Sequence, residues 1–136
     1  MYKRSFTSKI ILSIFPHLIS LFYTSNDLFY TGIIINSTIT SIIWHRNKEP
    51  NNILLILDYS TASVLSFYEI YKSYSISEYL FIISLSLNLY ILIFNKSVYF
   101  LSKEGILNYS LWHSFYHILS SLKTICISFI IYIFDS

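Results

Sequence analysis

Apolar residues along this chain come in five blocks separated by short polar breaks. A helix crosses the hydrocarbon core of a bilayer with about 20 mainly apolar residues, and the tolerated range is roughly 17 to 25. Backbone groups in lipid must be satisfied within helices, and no barrel-like alternation is present. We therefore predict an all-α, polytopic transmembrane helix bundle of about five spans, forming one domain over residues 1–136. The blocks cover residues 10–23, 28–45, 53–70, 79–94 and 106–134.

The polar breaks, at residues 25–27, 46–52, 71–78 and 95–105, are the predicted loops. Basic residues are concentrated on one of the two sides of the bundle that these loops define. By the positive-inside rule, the N-terminus is therefore cytoplasmic and the C-terminus lies outside or in a lumen. Lys72 is on the outer side, and the basic residues of the cytoplasmic side are Lys3, Arg4, Lys9, Arg46, Lys48, Lys96 and Lys103.

Besides Asp58, which is considered below, Lys123 and Glu69 are charged residues within the apolar blocks. Lys123 interrupts the last block, which therefore fits either one tilted helix or a span followed by an interfacial tail. A lysine near a helix end extends its ammonium to the interface, so we expect Lys123 to reach the outer surface. Glu69 lies near the outer end of the third span, and we expect it at the same interface.

The composition supports a membrane protein and excludes one class of partner. Of the 136 residues, 54% are hydrophobic and 12% are charged, whereas a soluble domain has roughly a quarter charged residues. The formal net charge of +2 leaves no basic patch on the scale that nucleic-acid binding needs. The single cysteine, Cys126, has no partner within the chain for a disulfide. We expect a membrane lipid, and no nucleic acid, as the partner.

Several polar residues inside the apolar blocks indicate a metal site. His113 and His117 are four residues apart and so share one helix face. Ser41 and His45 have the same spacing at the end of the second block, and Asp58 lies near the start of the third. In a bilayer such side chains face the bundle interior. In the predicted topology all of them fall in the cytoplasmic half of the membrane, so convergence on one centre is plausible.

Three histidines, His45, His113 and His117, suit zinc and leave a fourth position open for water, which is the pattern of catalytic zinc sites. Zinc lowers the pKa of its water and polarises a carbonyl group, so an amide or ester is open to attack. Asp58 is a candidate to accept the proton of that water or to orient a histidine. Ser41 is a candidate to hydrogen-bond the water or the developing oxyanion.

This pattern resembles the CREST superfamily, which includes alkaline ceramidases, progestin and adipoQ receptors, and lipid hydrolases that remodel glycosylphosphatidylinositol anchors. The resemblance rests on Ser-x-x-x-His, Asp and His-x-x-x-His on successive helices, in the order Ser41, His45, Asp58, His113 and His117. It implies that the three histidines hold zinc, that Ser41 and Asp58 lie beside the metal-bound water, and that the substrate is a lipid amide or ester. The superfamily core has seven helices, whereas this chain has one span instead of three between Asp58 and His113.

Two other classes of function fit the same residues. A bis-histidine haem protein needs only His45 and either His113 or His117 as ligands from facing helices, and it leaves Asp58 unexplained. A non-catalytic membrane protein, either receptor-like with structural zinc or an assembly factor, needs no reaction at all. His17, which follows Pro16 in the first block, receives no functional role.

Overall fold

The computed structural model describes residues 8–47 and 52–135, and within these ranges the chain is helical with no strand. The predicted all-α fold is therefore confirmed. Lys3, Arg4 and Lys48 lie outside the described residues. The helices are α1 (Ser8–Ile14), a 3₁₀ helix (Phe15–Ser20), α2 (Leu21–Thr24), α3 (Leu28–Arg46), α4 (Asn52–Ile76), α5 (Glu78–Lys103) and α6 (Tyr109–Asp135).

Three of these helices, α4, α5 and α6, are long and apolar enough to cross a membrane. The outer surfaces of the bundle carry many exposed large apolar side chains, among them Phe22, Leu28 and Phe67, which are 80%, 82% and 72% exposed. A soluble monomer rarely exposes apolar patches on this scale. The fold is therefore that of a membrane protein with five helical segments, the first of which is residues 8–24.

The first segment is broken because of Pro16. Proline lacks a backbone N–H and interrupts the α-helical pattern, and the chain passes through the 3₁₀ helix before it continues as α2. The hydroxyls of Ser13 and Ser20 donate to the carbonyls of Ile10 and His17, which satisfies groups around the break. The whole segment packs against α6.

Two of the predicted loops are shorter than the sequence indicates. Helix α4 continues through residues 71–76, and only Ser77 separates it from α5, whose first turn Ser77 caps by accepting from the Leu80 N–H at 3.1 Å. Ser73 and Ser75 remain helical because each hydroxyl donates to a carbonyl of its own helix. The break predicted at 95–105 was likewise wrong over most of its length. Helix α5 continues to Lys103, and Gly105, at φ 75°, ends it.

The core lies where α3, α4 and α6 meet, and α6 is the most buried of the three long helices. Side chains of α6 that face its neighbours are small, since Ser121, Thr124 and Ser128 are fully buried. Small residues allow the backbones of membrane helices to approach closely. The main apolar cluster consists of Tyr30, Ile34, Leu65, Ile127 and Ile131.

Glu69 and Lys123 form an ion pair inside the bundle, so the prediction that both lie at the interface was wrong. Lys123 is 6% exposed and Glu69 is fully buried, and the ammonium of Lys123 donates to Glu69 and, at 2.8 Å, to Asn88 on α5. Each charge thus has its counter-charge on a neighbouring helix, and Lys123 does not have to extend its ammonium to the membrane interface. Helix α6 continues through Lys123 without a break, from Tyr109 to Asp135.

At the end of the bundle where α3 begins, Asp27 joins α3 to α4. Its carboxylate caps α3 by accepting from the Tyr30 N–H at 2.9 Å, and it accepts from the Tyr68 hydroxyl at 2.6 Å. Lys72 lies 3.5 Å away. Although partial burial acts in the opposite direction, these hydrogen bonds and the nearby ammonium lower the pKa of Asp27 below its ordinary value.

The buried pair predicts an asymmetry between single and double substitutions. Lys123→Met leaves the Glu69 carboxylate buried without its counter-charge and is expected to lower the free energy of unfolding by about 3–5 kcal/mol. Lys123→Met combined with Glu69→Leu removes both charges and is expected to stay close to the wild type. Reversible unfolding of the purified protein by denaturing detergent measures both.

The matched control is Lys72→Met, which breaks the more exposed ion pair with Asp27. It is expected to lower the free energy of unfolding by less than about 1 kcal/mol. If Lys123→Met and the double variant lose the same free energy of unfolding, a direct charge pairing between Glu69 and Lys123 would be contradicted.

Candidate metal centre

Three histidines meet where the last turn of α3 lies against the first turns of α6. The Nε2 atom of His45 lies 3.2 Å from that of His113 and 3.1 Å from that of His117. One ligand atom from each ring lies within 4.8 Å of the others. Tetrahedral ligands at about 2.0–2.1 Å from a zinc ion are separated by roughly 3.3–3.4 Å. The two distances from His45 are thus close to the spacing that one shared metal ion requires, and the third pair of ligand atoms lies within 4.8 Å.

Local packing positions these rings. The four-residue spacing places His113 and His117 on one face of α6, and side chains of a helix point back towards its N-terminus, where α3 ends. The ring of His113 stacks on two aromatic rings. Its centroid lies 4.7 Å from that of Tyr109 at an interplanar angle of 15°, and 5.2 Å from that of Tyr116 at 27°. His113 and His117 are buried, and His45 is half-buried. The group is therefore enclosed on its α6 side and accessible on its α3 side.

Ser41 and Asp58 form a second polar pair next to the histidines. Ser41 lies one turn before His45 on α3 and is buried, and its hydroxyl lies close to the carboxylate of Asp58 on α4. The same two helices are also joined by a hydrogen bond between Thr40, which directly precedes Ser41, and Thr61. Their hydroxyl oxygens lie 2.8 Å apart. Asp58, near the start of an apolar helix, thus has its partner on α3.

A cavity of about 290 Å³ is lined by this pair and by His117, and it continues into the bundle. Its α3 and α6 walls are largely polar, whereas its α4 and α5 walls carry apolar side chains. Phe67, Leu89 and Leu92 line it and are also exposed on the outer surface, so the cavity reaches that surface between α4 and α5. Its polar lining includes His17, Ser41, Asp58, Asn88, Asn95, His117, Ser120 and Lys123.

The structure thus brings all five residues singled out in the sequence to one end of the bundle. The three histidines are in contact with one another, and Ser41 and Asp58 line the same cavity as His117. Since α3 and α4 run antiparallel, the end of α3 and the start of α4 meet there. The start of α6 reaches the same end because α5 runs back to it.

Two further groups that the sequence did not place at the site lie along the same cavity. His17 is buried, and its Nδ1 lies 2.6 Å from the Ser121 hydroxyl. Lys123 lies in the middle of α6, bound to Glu69. The sequence does contain an indication that Glu69 faces inward. Glu69 follows Asp58 by eleven residues, about three helical turns, and so lies on the same face of the helix. An ionisable residue on that face is expected to point inward.

No protein-family model, curated protein or solved structure matches this chain. The donor atoms of the site are therefore what indicate its chemistry. Three imidazole nitrogens suit zinc, copper, iron and nickel. The group is one that could hold a metal ion.

A metal ion shared by three rings predicts that each ring is required. His113→Ala and His117→Ala are each expected to abolish stoichiometric metal binding, because two remaining nitrogens leave the coordination sphere too open. Elemental analysis of the purified protein measures metal content, and the absorption spectrum after loading with cobalt reports a tetrahedral site.

The matched control is His17→Gln, which removes another buried histidine of the same bundle outside the three-ring group. It is expected to retain the metal. Metal retained in both alanine variants, or lost equally in the control, would contradict the assignment.

Proposed function

We propose that this protein is a membrane hydrolase of a lipid amide or ester, that zinc is its metal, and that it is related to the CREST superfamily. The spacing of His45, His113 and His117 is the observation that carries the proposal. The Ser41–Asp58 pair beside that group is the second support, since a structural zinc site needs no carboxylate next to it. Both observations support the arrangement that the superfamily resemblance implies.

In this proposal zinc, when bound, supplies a Lewis acid for the carbonyl group and a water of lowered pKa. The three rings hold the ion as neutral imidazoles and leave one side open. Asp58 accepts the proton of the attacking water. In this proposal the Ser41 hydroxyl donates its proton to the nearby Asp58 carboxylate. Positioning of Asp58 is therefore the role that the geometry supports for Ser41, in preference to stabilisation of an oxyanion.

The cavity supports a lipid as substrate. One wall is polar and the other apolar, and the cavity reaches the outer apolar surface between α4 and α5. A lipid could enter there from the bilayer without crossing water. The volume of about 290 Å³ lies at the small end of ligand pockets, so it suits a segment of one chain.

The geometry favours a single ion over haem. Axial histidines approach haem iron from opposite faces, so the macrocycle would have to fit between the rings. Here the Nε2 atom of His45 is in direct contact with those of His113 and His117, at 3.2 and 3.1 Å, which leaves no room for a macrocycle between them. A non-catalytic, receptor-like protein with structural zinc is the second candidate, and assays of activity and of metal content separate it from the hydrolase.

The activity itself is the main test. Purified protein in lipid nanodiscs is expected to release fatty acid from a ceramide or another lipid of a test panel, measured by mass spectrometry, and to lose this activity with a metal chelator. Asp58→Asn is expected to retain zinc at saturating metal concentration while turnover falls by about 10²–10⁴-fold, because only the proton acceptor is lost.

Asp27→Asn serves as the control, since it changes a carboxylate at the opposite end of the bundle. It is expected to leave turnover unchanged. A wild type that holds zinc stoichiometrically but releases no fatty acid from any lipid of the panel would contradict the hydrolase and favour the receptor-like protein.

The proposed orientation places the histidine end of the bundle at the cytoplasmic side, with the N-terminus cytoplasmic. Arg46 and Lys103 end α3 and α5 there, whereas Lys72 lies towards the opposite end. In a background with Cys126→Ser, Glu104→Cys is expected to be shielded from an impermeant maleimide in intact cells, and Ser75→Cys is expected to react. The reverse pattern would invert the orientation, and labelling of both would contradict α5 as a span.

A further inference from the structure

The inner part of the cavity contains a lysine held in a fixed position. The Lys123 ammonium donates to the Glu69 carboxylate and to Asn88 Oδ1 at 2.8 Å. Asn88 is itself oriented, because its amide nitrogen donates to the Ser84 carbonyl at 2.9 Å. The other oxygen of Glu69 accepts from the Tyr30 hydroxyl at 3.4 Å. Residues from three neighbouring helices thus fix where the ammonium lies.

The ammonium has more hydrogen-bonding capacity than these partners use. A lysine ammonium has three N–H donors, and among the described residues Glu69 and Asn88 accept two of them. Lys123 also lines the cavity. The remaining donor is therefore available to a ligand in the cavity, and the fitting ligand atom is a hydrogen-bond acceptor such as an oxygen.

The position of Lys123 determines where on a lipid that oxygen would be. Lys123 is the fifteenth of the 27 residues of α6, near the middle of the span. It follows His117 by six residues, which is roughly 9 Å along the helix axis. A polar headgroup stays at the membrane interface, so an oxygen at this depth belongs to the hydrocarbon chain.

We propose that Lys123 is the donor of a subsite for a hydroxyl group carried midway along an acyl chain, and that the cavity binds mid-chain-hydroxylated acyl lipids in preference to unsubstituted ones. The proposal rests on the proposed function for one point, that the carbonyl end of the lipid lies at the histidines. Glu69 neutralises the lysine charge, so the subsite accepts a neutral hydroxyl and does not require an anion.

The test is a binding measurement that needs no turnover. The full chain in nanodiscs is titrated with octadecanoic acids that carry no hydroxyl or one hydroxyl near the carboxyl group, at mid-chain or near the methyl end. Displacement of a fluorescent fatty acid is followed, and empty nanodiscs give the baseline. The mid-chain hydroxy acid is expected to bind roughly tenfold or more tightly than the other three, as one hydrogen bond to a charged donor allows.

The combined variant Lys123→Met with Glu69→Leu removes the donor without leaving a buried charge unpaired. It is expected to bind all four acids with equal affinity, whereas Lys72→Met is expected to keep the mid-chain preference. A wild type that binds the four acids equally, or a double variant that keeps the preference, would overturn the subsite. The comparison of acids on the wild type holds even if a variant fails to fold.

The two proposals can fail separately. Absence of lipid hydrolysis in the wild type, with the preference for the mid-chain hydroxyl intact, would refute the hydrolase and leave the subsite standing. Lipid hydrolysis by a wild type that binds the four acids equally would refute the subsite and leave the hydrolase standing.

Discussion

Hydrocarbon offers no hydrogen-bond partner, so the polar and ionisable side chains of these helices must find partners inside the bundle. This constraint accounts for how the helices are rotated about their axes. Asp58 and Glu69 share one face of α4, and each has a polar partner on another helix, Ser41 on α3 and Lys123 on α6. An outward-facing α4 would place two carboxylates in lipid. The apolar cluster around Leu65 is then packed between these two polar contacts on the same face.

Helix α6 obeys the same constraint with a different set of residues. One face carries His113, His117, Ser121, Thr124 and Ser128 in steps of three or four positions. The small members let the first segment approach closely enough for His17 to meet the Ser121 hydroxyl. The break that Pro16 introduces turns that segment along α6. The proline, the buried histidine and the small residues thus belong to one packing arrangement, and this explains His17 without a catalytic role.

The sequence was sufficient for the fold class, for the five helical segments and for the residues that meet at the histidine end. These follow from apolar block length and from four-residue spacing, both of which depend on local geometry. It was insufficient for the helix ends at residues 71–76 and 95–103, because Ser73 and Ser75 satisfy their hydroxyls within the helix and so do not break it. It also misplaced Glu69 and Lys123, since either residue alone fits an interface. Burial of these two charges is favourable only because they pair with each other, and they lie on different helices, 54 positions apart in the sequence.

The arrangement of charge along the cavity connects the two polar centres. At the inner end Glu69 and Lys123 neutralise each other, so that part of the cavity is neutral. At the histidine end Asp58 is the acidic residue among the lining side chains, and a dication on three neutral imidazoles would bring two positive charges into apolar surroundings. A nearby carboxylate offsets part of that charge, and in turn the ion would offset the cost of holding Asp58 inside the bundle. The carboxylate and the metal are therefore mutually stabilising in the proposed site, which is a physical reason for both to occur at the same end of the cavity.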